Sequence, residues 1–178
     1  MEKLGYPLGM ELIPIDIHQA HESEAAEVAD VHLASWQAAY RGIIPHKPLE
    51  QMIAKRGSAW WQKAISGGSH VIVIDFNGLV VGYATIGINR ARTLPYDGEI
   101  YELYLLPEYQ GVGLGRKLFE NAQRVLSHYG MKNNVAWVLE ENECACGFYN
   151  HLNGRMVSRS SEMFGDKSLE KLAFAWGA

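Results

Sequence analysis

A chain of 178 residues, 48% apolar and 20% charged, has the length and composition of one globular domain and is too short for a second full one. Its net charge of −4 excludes the positive surface field that broad binding to nucleic acid or to an anionic membrane demands, and it mildly favours cationic partners such as amines. No run approaches the ~20 apolar residues that span a bilayer.

In chain order, Glu11–Ile17 alternates loosely and reads as a first strand. From Glu22 to Tyr40, Ala25, Val28, His32, Ser35, Trp36 and Ala39 form a helical stripe. Acidic Glu22, Glu24 and Glu27 sit at its start, where the helix dipole favours them. Leu49–Ile65 reads as a second helix, closed by Ser66-Gly67-Gly68. Val71–Phe76 and Leu79–Ile88 are strands around Asn77-Gly78, a type I′ turn dipeptide, and so form a hairpin. A loop over Asn89–Asp97 precedes a strand at Gly98–Leu106, which ends at Pro107.

Beyond Gly113 the period becomes helical: Leu114, Leu118, Ala122, Val125, Leu126 and Tyr129 share a face, and Gly130 stops it. Val135–Leu139 is a short buried strand. Asn142 caps a helix carrying Ala145, Phe148, Tyr149 and Leu152 at i, i+3, i+4, i+7 spacing. Two last strands, Arg155–Phe164 and Leu169–Trp176, join through Gly165-Asp166. The order is mixed α/β, not a strict βαβ alternation.

Cys144 and Cys146, two apart in a helix, point in different directions and cannot readily bridge, and no zinc-ligand spacing accompanies them. His18-x-x-His21 lacks a third ligand in the sequence and reads as two exposed histidines, so no metal is expected. Met1–Met10 has no charged-then-apolar leader pattern. A cytoplasmic protein, spanning 1–178 as one domain, is the expectation.

Residues 110–116, Gln-Gly-Val-Gly-Leu-Gly-Arg, lie between a strand and a helix. Glycines let main chain approach a ligand, and a helix start offers free N–H groups with about +0.5 charge, so the turn suits a pyrophosphate with Arg116 beside it. A plain tight turn reads the same way. The dinucleotide fingerprint fails because Arg116 stands where its third glycine belongs, and the Gly-Lys-Ser/Thr ending of a Walker loop is absent.

Gln110-x-x-Gly113-x-Gly115 resembles the pyrophosphate signature of the GNAT superfamily of N-acetyltransferases. Gly98–Tyr109 resembles its fourth strand, and Asn142-x-x-Ala145-x-x-Phe148-Tyr149 followed by Gly154 resembles a second motif; Arg155 departs from the Gly-Phe found in many members. Ser35–Gly42 also resembles a segment of small bacterial members. The resemblance implies a mostly antiparallel, twisted sheet of six or seven strands with about four helices, splayed between the fourth and fifth strands. It implies acetyl-CoA as co-substrate, with pantetheine along the main chain of Tyr104, Leu105 and Leu106. The pyrophosphate would lie on Gln110, Gly111, Val112, Gly113, Leu114, Gly115 and Arg116.

The same resemblance gives Tyr149 the part of acid to the leaving thiolate. A phenol at pKa ~10 against a thiol at ~8.5 makes full transfer uphill by roughly 2 kcal/mol, so a hydrogen-bond donor is expected; a core tyrosine beside Phe148 is the alternative. Glu99 and Glu102 are candidate bases. Their odd offset puts them on opposite faces unless a bulge intervenes, and Glu99 fits the motif spacing slightly better. Either carboxylate also reads as a solvated group or an ammonium anchor. Asn142 caps its helix, touches cofactor, or both. Trp36, Tyr40 and Arg41 either face an acceptor pocket or, for the aromatics, pack as core.

The expected activity is direct, sequential acetyl transfer to a primary amine on a small molecule or peptide, with a homodimer as one assembly. The rival readings are a non-catalytic acyl-CoA sensor and a nucleotide-dependent enzyme.

Overall fold

The computed structural model describes residues 14–177. Seven strands form one sheet: β1 (Ile15–Gln19), β2 (His70–Phe76), β3 (Leu79–Ile88), β4 (Gly98–Leu105), β5 (Asn134–Leu139), β6 (Arg155–Phe164) and β7 (Lys167–Trp176). Their spatial order is β1-β2-β3-β4-β5-β7-β6. Every pairing is antiparallel except β4 with β5. Among the described residues five α-helices accompany it: α1 (Ala25–Tyr40), α2 (His46–Ala54), α3 (Ser58–Ser66), α4 (Leu114–His128) and α5 (Glu143–His151). Among the described residues no helix is long and apolar enough to cross a membrane.

The β2–β3 hairpin forms as expected: Asn77 and Gly78 both have positive φ, 56° and 82°, which a type I′ turn requires. The first strand lies at Ile15–Gln19, later than expected, and the residues before Pro14 fall outside the described part. The expected helix over Glu22–Tyr40 begins with a 3-10 turn at Glu22–Glu24 before α1.

The expected Leu49–Ile65 helix is two helices, α2 and α3, broken at Lys55-Arg56-Gly57. Gly57, extended at ψ −180°, cannot continue α2 and becomes the residue before α3. The break raises the helix count from about four to five.

One cluster packs α4 and α5 onto one face of the sheet through Ile100, Leu105, Leu114, Leu118, Leu126 and Tyr149. On the other face α1 and α3 pack through Val28, Val31, Trp61, Val73 and Tyr83. Burying side chains of this size stabilises by about 1.5–3 kcal/mol each, which holds the strands between two helical layers.

Two irregularities in β4 break the regular ladder on either side of it. Thr85 pairs with Glu102 but Ile86 pairs with Ile100, so Tyr101 is an extra residue, a β-bulge. On the other edge, β4 and β5 pair only through Gly98–Asn134, Glu99–Val135 and Ile100–Ala136, and then diverge. The ladder ends where the bulge begins.

Candidate active site

The divergence opens cavities on both faces of the sheet. On the α4/α5 side lies a groove of about 870 Å³, lined by Leu103 and Leu105 of β4, Gln110, Gly111, Gly113 and Arg116 of the turn, and Asn142, Phe148 and Tyr149. On the opposite side lies a hollow of about 940 Å³, lined by Trp36, Tyr40, Arg56, Trp60, Glu99, Glu102 and Trp137 among others. Tyr104 lines both.

The turn leaves main-chain donors without partners. Gly111 and Gly113 have φ of +78° and +90°, a region costly for any side chain, and a Cβ on either would meet nothing within 4 Å. Gly113 precedes α4 without a side-chain cap. The N–H groups of Gly111, Val112 and Gly113 donate to no acceptor among the described residues. Val112 is exposed, while the Leu114 side chain is buried and anchors the turn to the core. Gly115 does something different: its Cβ would stand 3.1 Å from Phe148, so it lets α5 approach α4. Arg116 is half-exposed, 4.0 Å from Glu120, and borders the groove.

At the β4 edge the sequence expectation needs correction. Leu106 donates its N–H to Val81 at 2.8 Å, so that group is not free for a ligand. By the antiparallel alternation Tyr104, opposite Tyr83, also turns its main chain toward β3. Leu103 and Leu105 turn theirs toward the opening. The Leu105 carbonyl accepts from Gln110 Nε2 at 3.2 Å, which places the Gln110 side chain across the strand end.

Tyr149 is buried beside Phe148, Phe174 and Trp176 while its residue borders the groove. Burial first, then the nearness of Tyr40, pushes its phenol well above the usual range. Its hydroxyl is therefore neutral at physiological pH. Asn142 caps α5, its Oδ1 accepting from the Ala145 N–H at 3.1 Å, and it also borders the groove.

The Tyr101 bulge resolves the offset between the two glutamates. Glu99 lies opposite Gly87 and Glu102 opposite Thr85, two residues apart on β3, so both carboxylates face the hollow. Gly87 leaves room for the Tyr101 ring, since its Cβ would fall 2.4 Å from the Tyr101 hydroxyl. Glu99 is fully buried and takes three bonds from Arg90: the main-chain N–H at 2.8 Å, Nη2 at 2.7 Å and Nε at 3.3 Å. Glu102 takes one bond from Arg56 and one from the Thr85 hydroxyl at 3.2 Å. Burial raises its carboxyl above the ordinary range, and the Arg56 guanidinium holds it back in part.

Trp36 and Tyr40 line the hollow, and Tyr40 and Tyr104 share a hydroxyl–hydroxyl hydrogen bond of 2.5 Å. The same two aromatics also pack in the cluster with Leu49 and Phe164, as the core reading of them expects. Arg41 does not join: it borders a separate surface hollow between α1 and α2. The sequence reading missed Arg56 and Arg90. Arg56 lies inside the stretch expected as one continuous helix, and Arg90 in a loop without a motif.

His18 and His21 also differ from expectation, because Glu24 supplies a third nearby group and His18 is only partly exposed. Glu24 accepts the His21 N–H at 2.7 Å and lies 2.9 Å from His18 Nε2, bonds that fix the 3-10 turn leading into α1. Cys144 is exposed and Cys146 partly so, both as free thiols.

The comparisons with known proteins agree with this geometry. The family model described as "Acetyltransferase (GNAT) family" matches residues 30–154. An uncharacterized N-acetyltransferase of Bacillus subtilis, YuaI, is 29% identical over 91% of this chain and 92% of its own length. The L-amino acid N-acyltransferase MnaT of Escherichia coli is 26% identical over 86% of each chain, and a spermidine N(1)-acetyltransferase of Thermoplasma acidophilum is 23% identical over 80% of this chain and 89% of its own. The crystal structure of a PaiA N-acetyltransferase from Thermoplasma acidophilum with coenzyme A superposes with a TM-score of 0.72, at 18% identity over 89% of this chain and 98% of that one. A family match across most of the chain, on a sheet whose fourth and fifth strands part beside a glycine turn, leads to one conclusion: the chain belongs to the GNAT family of acetyltransferases.

Proposed function

We propose that this chain transfers the acetyl group of acetyl-CoA directly to a primary amine on a small molecule. The reading is carried by one observation: the β4–β5 ladder stops after Ile100–Ala136, and the cavities on the two faces of the sheet both reach Tyr104. A thioester entering from one face and an amine from the other would meet there.

The residues present fit the cofactor. Free N–H groups at Gly111, Val112 and Gly113, beside Arg116 and at a helix N-terminus, would hold a pyrophosphate. The outward main-chain groups of Leu103 and the N–H of Leu105, whose carbonyl Gln110 already meets, would pair with the pantetheine amides. Bound acetyl-CoA supplies a thioester carbon that an amine nitrogen attacks: a C–N bond forms, the C–S bond breaks, and the sulfur leaves as a thiolate that takes its proton from solvent.

Tyr149 would donate a hydrogen bond to the sulfur as charge builds on it, without surrendering its proton outright. The amine must shed a proton, and Glu102 is the better acceptor for it, directly or through water. Its two oxygens hold one bond each, whereas Glu99 is filled by Arg90. Its raised pKa also brings it nearer the working pH. Asn142 serves as the α5 cap that positions Tyr149.

Thiol release from acetyl-CoA, measured against a broad amine panel, tests the proposal. Turnover that needs both substrates, and that falls sharply in Tyr149→Phe, supports it. Coenzyme A binding without any amine-dependent turnover would replace it with the acyl-CoA sensor.

A further inference from the structure

The hollow carries a charge pattern that narrows the acceptor. Each carboxylate lining it already has a cation: Glu99 has Arg90, Glu102 has Arg56, and Glu162 has Lys171 at 3.1 Å. A polyamine needs a run of uncompensated anions, and this wall has none among the described residues.

Arg56 is unlike the other cations. The break between α2 and α3 places it where it lines both this hollow and the one between α1 and α2, with its guanidinium 4.9 Å from the Trp60 ring centre and 5.9 Å from that of Trp36. Stacked this way it is held in place, with 32% of its side chain open to solvent. Only its Nη1 is committed, to Glu102; Nε and Nη2 donate to nothing among the described residues. Those two N–H groups form the edge that a carboxylate meets with two parallel bonds. Arg90 offers no such edge, because its Nε and Nη2 are both on Glu99.

An anion-binding edge therefore stands directly beside the carboxylate proposed to face the amine. An α-amino acid carries the complementary pair, a carboxylate and an amine on one carbon. Trp36, Trp60 and Trp137 supply indole surface in the same hollow for an apolar side chain.

We infer that the acceptor is a compact zwitterion, an α-amino acid with an apolar or aromatic side chain, whose carboxylate docks on Arg56 while its amine lies beside Glu102. The inference rests on the N-acetyltransferase reading and adds the acceptor class to it.

The test pairs acceptors that differ only at the carboxylate. Initial rates are measured for L-phenylalanine, L-methionine and L-leucine, each against its carboxamide and its decarboxylated amine, with spermidine alongside. The unaltered protein and its Arg56→Gln variant are compared. The expected kcat/KM favours at least one free amino acid over its carboxamide and amine by roughly tenfold or more. In Arg56→Gln that ratio falls to within about threefold. The ratio matters because Arg56→Gln also disturbs Glu102, an effect common to all acceptors that cancels between paired substrates. Bare amines, carboxamides or spermidine used as well as or better than the amino acids would overturn the inference and leave the N-acetyltransferase reading standing. A preference that survives Arg56→Gln overturns it too. No turnover with any amine would sink both.

Discussion

The Tyr104 hydroxyl lies 2.5 Å from that of Tyr40, and Tyr104 borders both the groove on the α4/α5 side and the hollow on the opposite face. Burial raises both phenols, and each is packed against Trp36. Two neutral hydroxyls at the meeting point of two cavities are suited to orienting an incoming amine. Tyr104→Phe keeps the ring and removes the oxygen. We expect kcat/KM for the amine to fall about tenfold, the worth of one hydrogen bond to a charged or reacting group. The KM for acetyl-CoA should change less than about twofold. Steady-state kinetics with each substrate varied in turn decides it; equal loss on both sides would mean that the pair only packs.

The two glutamates separate by pH. Proton acceptance needs the ionised carboxylate, and burial sets the Glu102 pKa above its ordinary value of 4.5. Activity should therefore fall as pH drops through a limb lying above that value. Glu102→Gln should remove the limb and lower kcat by about 10²-fold or more. Glu99→Gln should leave the limb in place. A kcat/KM–pH profile for the three proteins provides the measurement, and a limb unchanged in Glu102→Gln would assign the base elsewhere.

The hairpin, the turn at 110–116 and the Asn142 cap were legible because each rests on short-range chemistry. Asn77-Gly78 tolerates positive φ, glycines bracket Val112, and an amide side chain precedes a helical stripe. The helix break at Arg56 was not. Met52, Ile53, Trp60, Trp61 and Ile65 keep an apolar pattern running across it, and Gly57 alone marks the interruption. The common face of Glu99 and Glu102 was also hidden. It depends on the Tyr101 bulge, which exists only once β4 is registered against β3 and Gly87 yields room for the ring. Arg56 and Arg90 then find their carboxylates through contacts 46 and 9 residues apart in sequence.

His32 gives stability a pH dependence with a definite sign. It is fully buried, its Nδ1 is 2.9 Å from the Tyr83 hydroxyl, and burial lowers its pKa to about 4. Between pH ~6.5 and that value the unfolded chain binds a proton that the folded chain refuses, so stability is lost as pH falls through this window. The full effect is about 3 kcal/mol for this group. For a chain of this size, that corresponds to roughly 6–12 °C in Tm. A thermal-melt series from pH 7 to 4 on wild type and His32→Gln would show it. The variant starts lower at pH 7 and loses less on acidification; parallel curves would remove His32 as the cause.

Gly113 and Gly115 share a motif but are held for different reasons, and substitution separates them. Gly113 sits at φ +90° with open space where a Cβ would go, so alanine there strains the backbone and crowds the face from which the N–H groups emerge. The strain is of order 1–2 kcal/mol. Relief by shifting φ would turn the donors away, so affinity for coenzyme A should fall roughly tenfold or more while the protein stays folded. At Gly115 a Cβ meets Phe148 at 3.1 Å, and the neighbour must give way. Gly115→Ala should therefore destabilise through the α4–α5 contact and weaken coenzyme A less. Calorimetric titration and thermal melts on both variants distinguish the two. If Gly113→Ala bound coenzyme A as tightly as wild type, the amides of the turn would not be what grips the pyrophosphate.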